Sequence, residues 1–85
     1  MAPRTIPDLL THGAATFPDQ PAVVDGGTIL TYGELRDAAL AAARGYRALG
    51  VEAGDRVAVW APNRAEFVVA LLGAQQLGAS VVPLN

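Results

Sequence analysis

The sequence predicts an α/β fold, and three observations lead there. Residues 56–84 read as strand, helix and strand in succession. Three separate stretches carry apolar residues at helical spacing, and short β-prone runs lie between them. The connection between the last two strands is one helix long, which demands parallel strands and a right-handed crossover.

Taken in order, residues 5–17 form the first helix. Thr5 and Asp8 have the spacing of an N-terminal capping pair, and Pro7 falls in the first turn, where a missing N–H costs little. Ile6, Leu9, Leu10, Ala14 and Phe17 make its apolar face, His12 lies off it, and Pro18 stops it. Residues 22–31 form a hairpin: Ala22-Val23-Val24 and Thr28-Ile29-Leu30 flank Asp25-Gly26-Gly27, which tolerates positive φ. Residues 32–49 form the second helix. Thr31 and Glu34 are its capping box, Leu35, Ala38, Ala39, Ala42, Tyr46 and Leu49 its buried stripe, and Gly50 its C-terminal stop. A turn at 52–55 leads into Arg56-Val57-Ala58-Val59-Trp60, whose apolar content suits a strand buried on both faces. Asn63 and Glu66 repeat the capping pattern ahead of a third helix with Phe67, Ala70, Leu71, Ala74 and Leu77 on one face. Gly78 closes that helix, and Ala79 to Leu84 begin another buried strand.

This pattern does not close. A parallel sheet is covered on both faces and has more than two strands. The expectation is that the 85 residues are the opening piece of a larger domain, incomplete alone.

Composition removes several functions. Net charge is -2 with 6 basic residues, so no basic excess neutralises nucleic-acid phosphates. An apolar fraction of 52% argues against a disordered tail, and the absence of cysteine excludes a disulfide scaffold or zinc knuckle. The longest apolar run, Phe67 to Ala74, is far short of the ~20 residues that span a bilayer. No secretory signal pattern is present, and a cytoplasmic location is expected.

Two glycine patterns invite a phosphate-loop reading. Gly73 to Ser80 has the spacing G-x-x-x-x-G-x-S, but Ala79 stands where lysine is required and the order is helix to strand. Gly78 is better read as a helix stop, and Gly26-Gly27 as a hairpin turn. Trp60-Ala61-Pro62-Asn63 sits at the carboxyl end of a parallel strand, where ligands bind in open α/β sheets. Trp60, Asn63 and Arg64 are therefore the candidate substrate- or nucleotide-binding residues. Ordinary roles are preferred for each: Trp60 fills core, Asn63 caps a helix, Arg64 is solvated. His12 is a surface histidine. No catalytic residue and no metal ligand set is assigned.

Leu30-Thr31-Tyr32-Gly33-Glu34-Leu35 resembles the first core motif of the adenylate-forming (AMP-dependent synthetase/ligase) superfamily, L-T-Y-x-E-L. "FPDQPAVVDGG" and "LGVEAGDRVAVWAPN" resemble its hairpin and its helix–turn–strand. "EFVVALLGAQQLGASVVPLN" resembles its second core motif. The likeness covers nearly the whole chain in collinear order. Asn85 after Pro83-Leu84, and Trp60 to Asn63, are most similar to acyl-CoA synthetases, the fatty-acid and carboxylate–CoA ligases. The resemblance implies an N-terminal segment, residues 1–85, of such a ligase's large domain. It also implies ATP, Mg²⁺ and coenzyme A as requirements of the parent enzyme, with none held in this segment, and a carboxylic acid as its substrate. The family's phosphate loop, ribose-binding Asp and catalytic Lys lie beyond Asn85, so the piece is expected to be inactive scaffold. Thr31, Tyr32, Glu34, Gly78 and Pro83 are its structural motif residues, and the rest of its own domain its main partner. The residues alone leave two rivals: an autonomous nucleotide-binding module using the Trp60 loop, or a non-catalytic interaction element that completes its sheet by self-pairing or with another chain.

Overall fold

A computed structural model of the chain describes residues 6–84, with side chains from Leu10 onward. The Thr5–Asp8 capping pair lies outside those residues. The elements are α1 (Ile6–Thr16), β1 (Pro21–Asp25), β2 (Thr28–Thr31), α2 (Tyr32–Ala48), β3 (Arg56–Val59), α3 (Arg64–Gln76) and β4 (Ser80–Pro83).

β1 and β2 form an antiparallel hairpin in which Val24 faces Ile29 and Asp25 faces Thr28. Gly26 turns it at a φ of 59°, a left-handed value that favours glycine. β3 and β4 form a separate parallel pair, with Val57 opposite Val81.

The N-terminus of α2 and the C-termini of both long helices are closed by sequence-local chemistry. Thr31 Oγ1 accepts from the Glu34 N–H at 3.1 Å, and Glu34 Oε1 accepts from the Thr31 N–H at 2.9 Å, a complete capping box for α2. At its other end the Gly50 N–H donates to Arg47 O and the Val51 N–H to Tyr46 O, both at 3.0 Å. α3 ends the same way, with the Gly78 N–H on Gln75 O and the Ala79 N–H on Ala74 O. These are paired Schellman closures, each with a glycine at positive φ, 89° at Gly50 and 76° at Gly78. The second closure docks the preceding turn, since the Gly54 N–H donates to Gly78 O at 2.9 Å.

The core lies between the helices and the hairpin: Leu10, Val23, Leu35, Ala39, Ala65 and Leu72. α2 and α3 meet along small residues. A Cβ added at Gly73 would lie 2.6 Å from Ala42 Cβ and 3.1 Å from Ala39 O, so the helices touch almost backbone to backbone. Tyr46 reaches across this seam, its Oη donating to Ala70 O at 3.2 Å. Burial pushes the Tyr46 phenol above its ordinary pKa.

Several expectations are corrected. Phe17 and Leu49 are exposed rather than buried; Leu49, the C-cap of α2, is 83% accessible because the chain turns away there. Ala43 takes its place in the buried stripe. β3 is not covered on both faces: Val57 and Val59 are half-buried while Arg56 and Ala58 are exposed, and the strand stops before Trp60. Trp60 fills no core and is 67% accessible. In α3 the most buried positions are Ala65, Leu72, Gly73 and Ala74, because the helix is clasped by α2 on one side and the hairpin on another.

Candidate functional site

The chain leaves β3 at Val59, passes Trp60, Ala61 and Pro62, and enters α3 through Asn63. This loop at the carboxyl end of a parallel strand is the candidate site. Asn63 is extended (φ -148°, ψ 169°), and its Oδ1 accepts from the Glu66 N–H at 2.8 Å. That satisfies one of the donors a helix N-terminus leaves free.

The other donors of the first turn are met from a distant part of the chain. Asp25, the last residue of β1, places Oδ2 3.0 Å from the Arg64 N–H and 3.3 Å from the Ala65 N–H. One carboxylate oxygen thus receives two backbone donors, and the hairpin tip is tied to the start of α3. A carboxylate at a helix N-terminus also complements the positive end of the helix dipole. A nucleotide phosphate bound at this turn would need those same N–H groups, which counts against the nucleotide-module reading of the loop.

The candidate residues are only partly brought together. Asn63 and Arg64 share the α3 start with Asp25, and the Arg64 side chain is exposed. Trp60 is largely exposed. In the sequence Asp25 shows only as a turn residue ahead of Gly26-Gly27. Nothing local marks a cap that acts on a helix 39 positions later.

The motif residues serve the same frame. Tyr32 packs over α1 so closely that a Cβ at Gly13 would sit 2.6 Å from its ring. Pro83 ends β4 opposite Val59. Beside this framework lies an open, mainly apolar cleft of about 620 Å³ lined by Leu10, Phe17, Val24, Leu35 and Val68, with His12 and Arg64 also on its wall.

The described residues do not fit a Mg²⁺ site: no group of three or more His, Cys, Asp or Glu lies together among them. Of the carboxylates, Asp25 is already committed to backbone donors and Glu34 to its capping box. No helix among the described residues is long and apolar enough to cross a membrane.

A helix–hairpin frame joined to a parallel pair is the architecture of the N-terminal region of adenylate-forming enzymes. A fatty acyl CoA synthetase of Mycobacterium tuberculosis superimposes on it with a TM-score of 0.85 and 36% identity, over 94% of this chain and 16% of that one. The family model described as AMP-binding enzyme matches residues 10–85, and the chain belongs to that family. Among curated relatives, the 3-[(3aS,4S,7aS)-7a-methyl-1,5-dioxo-octahydro-1H-inden-4-yl]propanoyl:CoA ligase of Mycobacterium tuberculosis is 46% identical over 82 residues, 96% of this chain. Phenyloxazoline synthase MbtB of Mycolicibacterium paratuberculosis is 49% identical over 78 residues, 92% of this chain. The chain spans 16% of the length of the first and 7% of the second.

Proposed function

We propose that residues 1–85 are the N-terminal part of the large domain of a cytoplasmic acid–CoA ligase, and that they act as scaffold. In the complete reaction a carboxylate oxygen of the substrate attacks the α-phosphorus of ATP, and pyrophosphate leaves. The thiol of coenzyme A, giving up its proton, then attacks the acyl carbon, and AMP leaves. Adenylation converts a poor leaving oxygen into a good one. Mg²⁺, when bound, offsets the charge that develops on the phosphates.

This segment's own residues hold the frame against which that chemistry is built. The observation that carries the reading is the collinear match through both core motifs. It ends in a parallel pair at which Val82 and the flanking Trp60 and Leu84 stand exposed, ready to be covered by further sheet and helix of the same domain. CoA ligases recur among the relatives, and Pro83-Leu84-Asn85 favours that branch. Cover by the same domain is preferred over pairing with a second copy.

ATP–pyrophosphate exchange tests this. The complete protein should exchange label in the presence of a carboxylic acid and release AMP when coenzyme A is added. The 85-residue chain alone should exchange none. Exchange by that chain alone would overturn the scaffold role. Acyl transfer from the complete protein to a carrier protein, with none to coenzyme A, would overturn the CoA-ligase assignment.

A further inference from the structure

We propose that Asp25 is the positioning residue of the loop at the carboxyl end of β3, acting as a built-in anion that occupies the N-terminus of α3. Two features single it out. Its Oδ2 takes the Arg64 and Ala65 N–H groups at 3.0 and 3.3 Å, while Asn63 Oδ1 takes the Glu66 N–H at 2.8 Å. The Phe67 N–H is already within the helix ladder, on Asn63 O at 3.2 Å. The first turn of α3 is therefore saturated, half of it by a residue from another element.

The second feature is what Asp25 joins. It ends β1, it faces Thr28 across the hairpin, and Gly26 beside it turns the chain at positive φ. The hairpin tip thus carries the carboxylate from β1 to the start of α3. Its carboxylate fixes where Trp60 to Asn63 run, since those residues are strung between β3 and the clamped turn. Phosphate is denied the place at which a helix N-terminus would attract it. Any nucleotide phosphate held at this end of the sheet must find its donors elsewhere. The inference rests on these hydrogen bonds and holds independently of the acid–CoA ligase reading.

Amide hydrogen exchange, read by mass spectrometry over residues 61–67, tests it in the protein with and without inorganic phosphate. In wild type the Arg64 and Ala65 amides should be protected, and phosphate should change nothing. Asp25→Ala should speed their exchange by about 10- to 100-fold, the loss of hydrogen bonds to a charged group. Exchange in α2 should stay as in wild type, and phosphate should slow the two amides again by replacing the missing anion. Asp25→Asn keeps a neutral acceptor and should give intermediate protection. Unchanged exchange in Asp25→Ala, no rescue by phosphate, or protection of the wild-type amides by phosphate would each overturn the proposal. Should Asp25→Ala lose protection throughout the chain, Asp25→Asn decides. Faster exchange confined to Arg64 and Ala65 supports the anion role, and exchange equal to wild type overturns it.

Discussion

The seam between α2 and α3 and the β3–β4 pair lie a few residues apart in sequence, yet they are packed in opposite ways. Along the seam, Ala39, Ala43, Leu72, Gly73 and Ala74 are buried, and a single added carbon has no place to go. In the strand pair, Ala58, Val82 and the neighbouring Trp60 and Leu84 face solvent. Both regions are apolar, and a glycine-dependent closure leads from each helix of the seam toward a strand of the pair. The difference is that one has found its partner surface within these residues and the other has not. Stability in this chain therefore resides in the helix–hairpin frame, while the strand pair is left largely exposed. Gln75 Oε1, buried with no hydrogen-bond partner among the described residues, marks where the seam gives way to the strands.

The largest effect is expected at the centre of the frame. Leu35 is 5% accessible and belongs to the cluster that joins α1, the hairpin and both long helices. Leu35→Ala should cost about 2–5 kcal/mol, transfer and cavity terms together. A urea midpoint lowered at constant m-value is the check. A change of under about 1 kcal/mol would mean the frame is not the stabilising half.

The seam offers a sharper test. Gly73→Ala gains up to about 1 kcal/mol of helix propensity. It also drives a Cβ against Ala42 Cβ and the Ala39 carbonyl, neither of which is the far end of a flexible side chain. Overpacking of this kind costs about 1–3 kcal/mol, so the net should be destabilising. Ala42→Gly removes one of the clashing atoms. A double-mutant cycle should therefore show favourable coupling between the two changes, of roughly 0.5 kcal/mol or more. Additive effects would show that the helices stand further apart than described.

The same division explains what could be read from the sequence. Caps and stops were legible because their partners lie within a few residues: Thr31 with Glu34, Asn63 with Glu66, Gly50 and Gly78 with the carbonyls just behind them. The parallel pairing of β3 and β4 was legible from the length of α3. Side-chain burial was less so. Phe17 and Leu49 fit the helical periodicity and still face solvent, because periodicity reports which face a residue shares and not how far its cover extends. The Asp25 clamp and the fit at Gly73 were not legible at all, since each depends on a contact between elements that no local pattern encodes. A large aromatic such as Trp60 is usually covered; here the covering surface is not among the described residues.

Trp60 gives the smallest effect and the one that best separates the two regions. At 67% accessibility its ring loses little contact on truncation, so Trp60→Ala should shift the urea midpoint of the 85-residue chain by no more than about 0.5 kcal/mol equivalent. In a complete domain of this family the same ring is expected to lie under further sheet or helix. Removing it there should cost about 3–5 kcal/mol, as for a buried aromatic. The contrast between the two measurements, rather than either alone, carries the argument. A large cost in both would place Trp60 in a core that these residues already complete. A negligible cost in both would mean that nothing covers the carboxyl end of β3, and the strand pair would then be an exposed surface rather than an interior awaiting its cover.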